Sequence, residues 1–356
     1  MKLLNIIDYR TLKQPAELTK RSRLFTGYKC NIKCGFCFYK NEKHQDIKPL
    51  IYQQLEQGRK YGLLDWDISG GEPSILPYWQ DLLRDMKDMG FRNIACITNG
   101  YKFANTDFML KSKNNGLNEL LFSIHGSNEI IHDDMTDVEG SFKHLQLAID
   151  NAIYLNMKIR FNVVVTKNNY LDLPNIVRMC LEYHPVAFNF LPFRIENSAD
   201  KKNAVKYSEI VKYINKSIIL LEDYNNVNTN KIKIAVRYMP FCLFKHLGFK
   251  KYCVGYIQRV FDEYEWDEYT IRKFENARFN REIPELDCKT EKWKLQIDAL
   301  NKSIRHIAGH TSKCLRCKYI KVCDGIWKSY ADVWGINEFE PIKGVKVNVP
   351  YPINDN

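Results

Sequence analysis

No run of apolar residues in this sequence is long enough to cross a membrane as a helix. The opening stretch MKLLNIIDYRTLKQ has only a short apolar run, broken by Asp8, and no small-residue cleavage site, so no signal peptide is expected. Internal repeats and low-complexity linkers are missing, which argues against a solenoid or a tethered array. Blocks of like charge are missing too, although the formal net charge is +11. Scattered lysines suit a solvated surface, with a weaker pull toward nucleic acid, nucleotides or acidic peptides. Without an export signal a cytoplasmic location is expected, where cysteines stay reduced and serve metals or catalysis more often than disulfides. Eleven cysteines then need a reason.

The 356 residues, 45% hydrophobic, suffice for one large domain and a smaller one. Short β-like runs alternate with amphipathic stretches. Strands are expected at 23–28, 65–69, 93–98, 119–125, 158–165 and 186–191, and helices near 50–61, 76–89, 104–115, 141–155, 171–183 and 205–222. In the fourth helix Phe142, Leu145, Ile149 and Ala152 share a face, with Ser141 placed to cap it. Six β-then-α units imply an α/β fold with a parallel sheet, a partial (β/α)6 TIM-like barrel. Strand alternation puts Asp67 and Ser69, Ser123 and His125, Arg160 and Asn162, and Asn189 on one polar face. If the apolar face meets the helices, that polar set lines the interior; the alternative is half-exposed edge strands. After residue 225 the rhythm changes. Residues 231–237 alternate like a strand, and cysteines return. The expected division is an N-terminal extension (1–21), the barrel (22–226), a cysteine-rich metal-binding domain (227–335) and a tail (336–356) with little to pack.

The densest chemistry is Cys30-Asn-Ile-Lys-Cys34-Gly-Phe-Cys37, three cysteines at C-x3-C-x2-C spacing after the first strand. Zinc sites usually close with four ligands. Three thiolates on one loop suit a four-iron cluster that keeps one iron open. Ser69-Gly70-Gly71-Glu72-Pro73 ends the second strand, Thr98-Asn99-Gly100 the third, and Phe122-Ser123-Ile124-His125-Gly126 the fourth, followed by His132-Asp133 and Gly140-Ser141-Phe142. Together these resemble the radical SAM superfamily over about residues 22–225. The resemblance implies that Cys30, Cys34 and Cys37 ligate a 4Fe-4S cluster whose open iron binds S-adenosylmethionine (SAM). It implies that Phe36 packs near the adenine, and that Gly70, Gly71 and Glu72 hold the methionine amine. Asn99 and Ser123 become candidates for ribose or carboxylate contacts. Arg160 is a candidate for the SAM carboxylate, for substrate, or for a plain ion pair. His125 is either an acid–base group or a hydrogen-bonded wall residue. The reaction implied is reductive cleavage of SAM to a 5′-deoxyadenosyl radical that abstracts hydrogen from substrate, with an electron donor such as flavodoxin or ferredoxin.

Cys314-x2-Cys317-x5-Cys323 resembles the auxiliary-cluster domains called SPASM or, when shortened, twitch, and Gly248-x4-Cys253 resembles part of the same pattern. The match departs at Trp327, where a cysteine is expected, and Cys242 lies too close to Gly248. One second 4Fe-4S cluster is therefore expected, on Cys314, Cys317, Cys323 and one of Cys242, Cys253 or Cys288; zinc there is the alternative. Cys96 and Cys180 are expected to be buried packing. The acidic aromatic run Phe261–Tyr269 is a possible substrate contact or an amphipathic hairpin. Such auxiliary domains accompany peptide and protein maturation, so the expected substrate is a peptide or protein. Only 29 residues precede Cys30, which points to a separate peptide-recognition protein or direct binding. A nucleotide, sugar or RNA base is the alternative substrate, and a non-catalytic zinc protein binding nucleic acid is the reading from another class.

Overall fold

Parallel strand pairing runs unbroken from Arg21 to Val254 in the computed structural model, which describes residues 3–4, 21–37, 39–40, 42, 47–60, 62–195, 198–244, 249–256, 258 and 307–349. The strands are β1 (Arg21–Phe25), β2 (Asp65–Ser69), β3 (Asn93–Thr98), β4 (Glu119–Ser123), β5 (Lys158–Val165), β6 (Ala187–Pro192), β7 (Lys233–Arg237) and β8 (Cys253–Val254). They lie in sequence order in one sheet, every neighbouring pair parallel. Parallel neighbours need crossovers. These are α1 (Lys48–Lys60), α2 (Trp79–Asp88), α3 (Thr106–Asn114), α4 (Glu129–Thr136) with α5 (Ser141–Tyr154), α6 (Leu173–Leu181) and α7 (Tyr207–Val227). The result is a curled partial TIM barrel. It has the six expected units and two further strands. The run 231–237 joins this sheet because the long α7 returns it alongside β6, so the sheet continues past residue 226.

Alternation sorts the faces as expected. Phe122, Phe161 and Phe188 are register partners across three strands, with ring centroids 6.3 Å apart at each step. All three are fully buried, each contributing about 2 kcal/mol by leaving water. The opposite face carries Ser123, Asn162 and Asn189 in register, and Asn189 Nδ2 donates to Asn162 Oδ1 at 2.7 Å. The cap of α5 differs from expectation. Gly140 is the cap residue, and the Asp133 carboxylate of α4 accepts from Gly140 N, Phe142 N and Ser141 Oγ. A carboxylate from the previous helix does the work assigned to Ser141.

The C-terminal region is bound to the barrel. β9 (Ala308–Gly309) pairs antiparallel with β10 (Ile326–Trp327), and Leu4 bridges to His310. A Cβ on Gly325 would lie 2.3 Å from Gly309 O, so this close crossing needs glycine. α8 (Lys328–Trp334) presents Tyr330, whose ring stacks on Tyr207 at 4.0 Å. Past residue 335 Phe339 is buried, and Glu338 accepts from Ser208 N at the start of α7. No helix among the described residues is long and apolar enough to cross a membrane.

Candidate active site

The cysteine loop leaves β1 at the C-terminal edge of the sheet, where barrel sites form. Two backbone bonds tie it to the glycine pair after β2: Gly71 N to Gly27 O and Glu72 N to Lys29 O, both 2.8 Å. The approach admits no side chain. A Cβ on Gly70 would lie 2.4 Å from Gly27 O, and one on Gly71 would lie 2.0 Å from Lys29 O. On the other side Lys33 N and Gly35 N donate to Thr136 O and Met135 O at the end of α4. The loop is thus held from β2 and α4 at once.

The donor set suits an electropositive cluster. Burial pushes the Cys30 thiol up to about 11 and Cys34 up to about 12, and neighbouring thiols push further; Cys37 is also raised, mainly by burial. Three thiolates here repel one another unless a cation lies between them. A 4Fe-4S cluster binds each thiolate through a different iron, which suits three cysteines on one loop. In such a cluster Cys30, Cys34 and Cys37 would be the ligands.

Glu72 Oε1 accepts from Ser74 N (3.2 Å), Ser74 Oγ (2.5 Å) and Thr98 Oγ1 (2.8 Å), and its Oε2 from Asn99 N (2.8 Å). Burial raises its pKa, against these bonds. This carboxylate, expected with Gly70 and Gly71 to hold the methionine amine of SAM, latches the ends of β2 and β3 together. Through it Asn99 is set beside the cysteine loop, with Nδ2 2.9 Å from Asn31 Oδ1 and 4.0 Å from Cys30 Sγ. Ser74 and Asn31 were missed by sequence reasoning, being common residues without a motif of their own.

Phe36 packs edge-on against His125, centroids 4.7 Å apart. His125 is buried, and its Nδ1 accepts Val164 N at 3.4 Å, which leaves the proton on Nε2. Burial drives its pKa well below the usual imidazole value. In this fold it is neutral and packs against Phe36 as a wall residue. His132 stacks behind it, and its Nδ1 accepts His125 N at 3.2 Å. Ser123 ends β4, half-buried on the interior face.

Arg160 takes the ion-pair role. It is fully buried and its guanidinium meets Asp67 and Glu119, which Arg21 also approaches at 3.2 and 3.5 Å. Burial alone would raise the Asp67 pKa; Arg160 and Arg21, with Arg237 nearby, hold it below the usual carboxylate range. Two carboxylates, Asp67 and Glu119, meet the Arg160 fork. Together these groups floor the barrel interior.

The family comparison decides the class. Residues 24–180, which carry the cysteine loop, the glycine pair and the ends of β3 and β4, match the Radical SAM superfamily profile.

The chain carries a radical SAM domain over residues 24–180.

It is a radical SAM enzyme, and that family uses SAM with a 4Fe-4S cluster. It is 25% identical over 230 residues to a probable GTP 3′,8-cyclase of Sulfurisphaera tokodaii, covering 61% of this chain and 68% of that protein. A protein of the same description from Saccharolobus islandicus is 23% identical over 246 residues, covering 60% and 79%. The fold is similar to that of Streptococcus suis SuiB bound to SAM, with TM-score 0.58 at 19% identity, covering 91% of this chain and 76% of that one.

In the C-terminal region of this radical SAM enzyme, Cys314 Sγ lies 3.3 Å from Thr311 Oγ1, and Cys317 N donates to Cys314 O at 2.8 Å. Cys323 is half-buried, with Gly325 N donating to its Sγ at 3.4 Å. Burial raises its pKa first, and Cys242 close by raises it further. Cys253 is buried in β8. The following turn is tied to the cysteine loop by Tyr256 N to Asp324 Oδ2 (2.7 Å) and Gln258 Nε2 to Val322 O (2.8 Å). Gly248, Cys288 and the run Phe261–Tyr269 lie outside the described residues. Cys96 and Cys180 are fully buried in the barrel core.

Proposed function

We propose that this radical SAM enzyme generates a 5′-deoxyadenosyl radical that takes a hydrogen atom from a peptide or protein substrate. The observation that carries the reading is the junction of cysteine loop and glycine pair, locked by two 2.8 Å backbone bonds with Asn99 beside Cys30. A 4Fe-4S cluster on Cys30, Cys34 and Cys37 would supply the electron that cleaves SAM to methionine and the radical. The chain's part is to hold and screen. Gly70 and Gly71 let backbone approach the methionine end of SAM. Asn99 and Ser123 face its carboxylate or ribose, and Phe36, braced by His125, faces the adenine. Glu72 is a positioning residue that fixes the backbone of Asn99. Reducing equivalents come from an acidic carrier such as flavodoxin or ferredoxin.

In the same reading Cys314, Cys317 and Cys323 hold a second cluster, with Cys242, Cys253 or Cys288 as fourth ligand. A peptide substrate is supported by the likeness to SuiB, which spans the C-terminal region and has been solved with its precursor peptide SuiA. A nucleotide substrate is the second reading, favoured by the relatives described as probable GTP 3′,8-cyclases. Iron and zinc per chain after anaerobic reconstitution test both sites. About eight irons support two four-iron clusters; about four irons with zinc remove the auxiliary cluster. Cys34→Ala should abolish 5′-deoxyadenosine formation, and normal cleavage by that variant would sink the assignment.

A further inference from the structure

Strands β5 and β6 carry two amides inside the barrel that the radical site does not use. Ser123 on β4, Asn162 on β5 and Asn189 on β6 form one row across the sheet, and Ala235 on β7 continues it. The row lies on the face opposite Phe122, Phe161 and Phe188, so it points into the barrel. Below it lies the ionic layer of Asp67, Glu119 and Arg160. One step nearer the mouth are Val164 and Leu191, apolar, half-buried and in register. Asn162 is 6% exposed and Asn189 2%. Asn189 Nδ2 donates to Asn162 Oδ1 at 2.7 Å, which engages one end of each amide. Asn162 Nδ2 and Asn189 Oδ1 have no hydrogen bond among the described residues, and the next residue in the row, Ala235, has no polar side chain to offer. Neither atom is sealed in, because the enclosed unpartnered atoms of the described residues lie elsewhere.

A packed barrel layer is normally built of branched apolar side chains. Buried amides weaken such a layer unless both of their ends are matched. Their mutual bond also fixes what is left over. Whichever amide donates, the pair presents one N–H donor and one C=O acceptor side by side. That edge matches a carbonyl with an N–H next to it, as in a primary amide or a lactam ring. A single trans peptide group does not match, because its C=O and N–H point opposite ways. The position agrees. Neighbouring strands lie about 4.8 Å apart, so Asn162 stands one strand from Ser123, on the SAM side, and Asn189 two. We infer that Asn162 and Asn189 are specificity-determining residues that together bind a primary-amide or lactam edge of the substrate. A glutamine or asparagine side chain of a peptide carries this edge, and so does the guanine ring of a nucleotide. The inference rests on the radical SAM reading for calling the ligand a substrate, while its test reads binding alone.

Equilibrium dialysis of the reconstituted holoenzyme with SAM and no reductant reads binding without turnover. Two probes separate the sources of the edge: GTP, and an acetylated pentapeptide with one central glutamine, closed as an N-methylamide. Each has a control that lacks the edge: N1-methyl-GTP, and the same peptide with methionine for glutamine. Wild type should bind one probe at least about tenfold more tightly than its control, and Asn162→Leu and Asn189→Leu should each remove most of that preference. SAM affinity and iron content of both variants should match wild type, which separates ligand loss from misfolding. Asn162→Ser and Asn189→Ser, which add no bulk, give the same reading where a leucine is not accommodated. An unchanged preference in the variants overturns the proposal, and so does a wild type with no preference for either probe at millimolar concentration. Loss of SAM affinity with probe binding intact also overturns it, by giving the pair to the cofactor. Formation of 5′-deoxyadenosine by the same wild-type preparation, once reductant is added, judges the radical reading separately.

Discussion

Replacing one hydrogen by a methyl group at Gly71 should empty the cluster site, while the same change at Gly35 should not. At Gly71 the new Cβ would meet Lys29 O at 2.0 Å, Lys29 C at 2.5 Å and Tyr28 O at 2.7 Å. All are backbone atoms, so no side chain can swing aside. Ordinary contact needs about 3.5 Å, so the loop just before Cys30 must retreat by more than about 1 Å. Two 2.8 Å backbone bonds, Gly71 N to Gly27 O and Glu72 N to Lys29 O, stretch or break with it. At about 1 kcal/mol each plus the steric term, the loss is roughly 2–4 kcal/mol, concentrated at the cysteine loop. Gly35 lies between Cys34 and Phe36, and a Cβ there meets nothing within 4 Å. Iron per chain and SAM affinity, measured on Gly71→Ala and Gly35→Ala side by side, check this. Gly71→Ala should lose most cluster iron and at least about tenfold in SAM affinity, with Gly35→Ala near wild type. Wild-type iron in Gly71→Ala would refute the view that the glycine pair builds the cysteine loop.

Burial lowers the His132 pKa to about 4, against the pull of Asp133, so the folded state keeps it neutral. Since the folded value is below the unfolded one of about 6.5, its contribution is full above pH 6.5 and fades as pH falls toward 4, by up to about 3 kcal/mol. Chemical denaturation at pH 7.5 and 5 should show wild type losing more stability than His132→Gln; equal losses would contradict it. Arg160→Met leaves Asp67 and Glu119 short of a cation and should cost about 3–5 kcal/mol in urea unfolding, with SAM affinity largely kept. The reverse pattern, intact stability with lost SAM binding, would return Arg160 to the ligand.

The parallel sheet was legible because its cause is local. Period-two runs such as Lys158–Val165 and period-3.6 runs such as Phe142–Ala152 each announce their own element. Strands β2, β3 and β5 agree with expectation at both ends. The cysteine loop and the glycine pair were legible for a similar reason, since spacing along one loop is written in the chain. What a side chain does after folding was less so. Arg160 and Glu72 each offered a charge at a suitable strand position, and in both cases long-range partners took it. Asp67 and Glu119 reach Arg160 from other strands, and Thr98 and Asn99 reach Glu72 from β3.

That difference has a physical basis that bears on the site itself. A buried charge is costly until it is paired, so a barrel interior tends to satisfy its own charges before any ligand arrives. Arg160 and Glu72 are inside and paired. Recognition by charge should therefore be sought at the ends of the strands and not in the dry layer below. By the same logic the glycine pair and Asn99 present backbone groups and a neutral amide at the loop surface, whereas the buried Glu72 carboxylate already holds four protein donors.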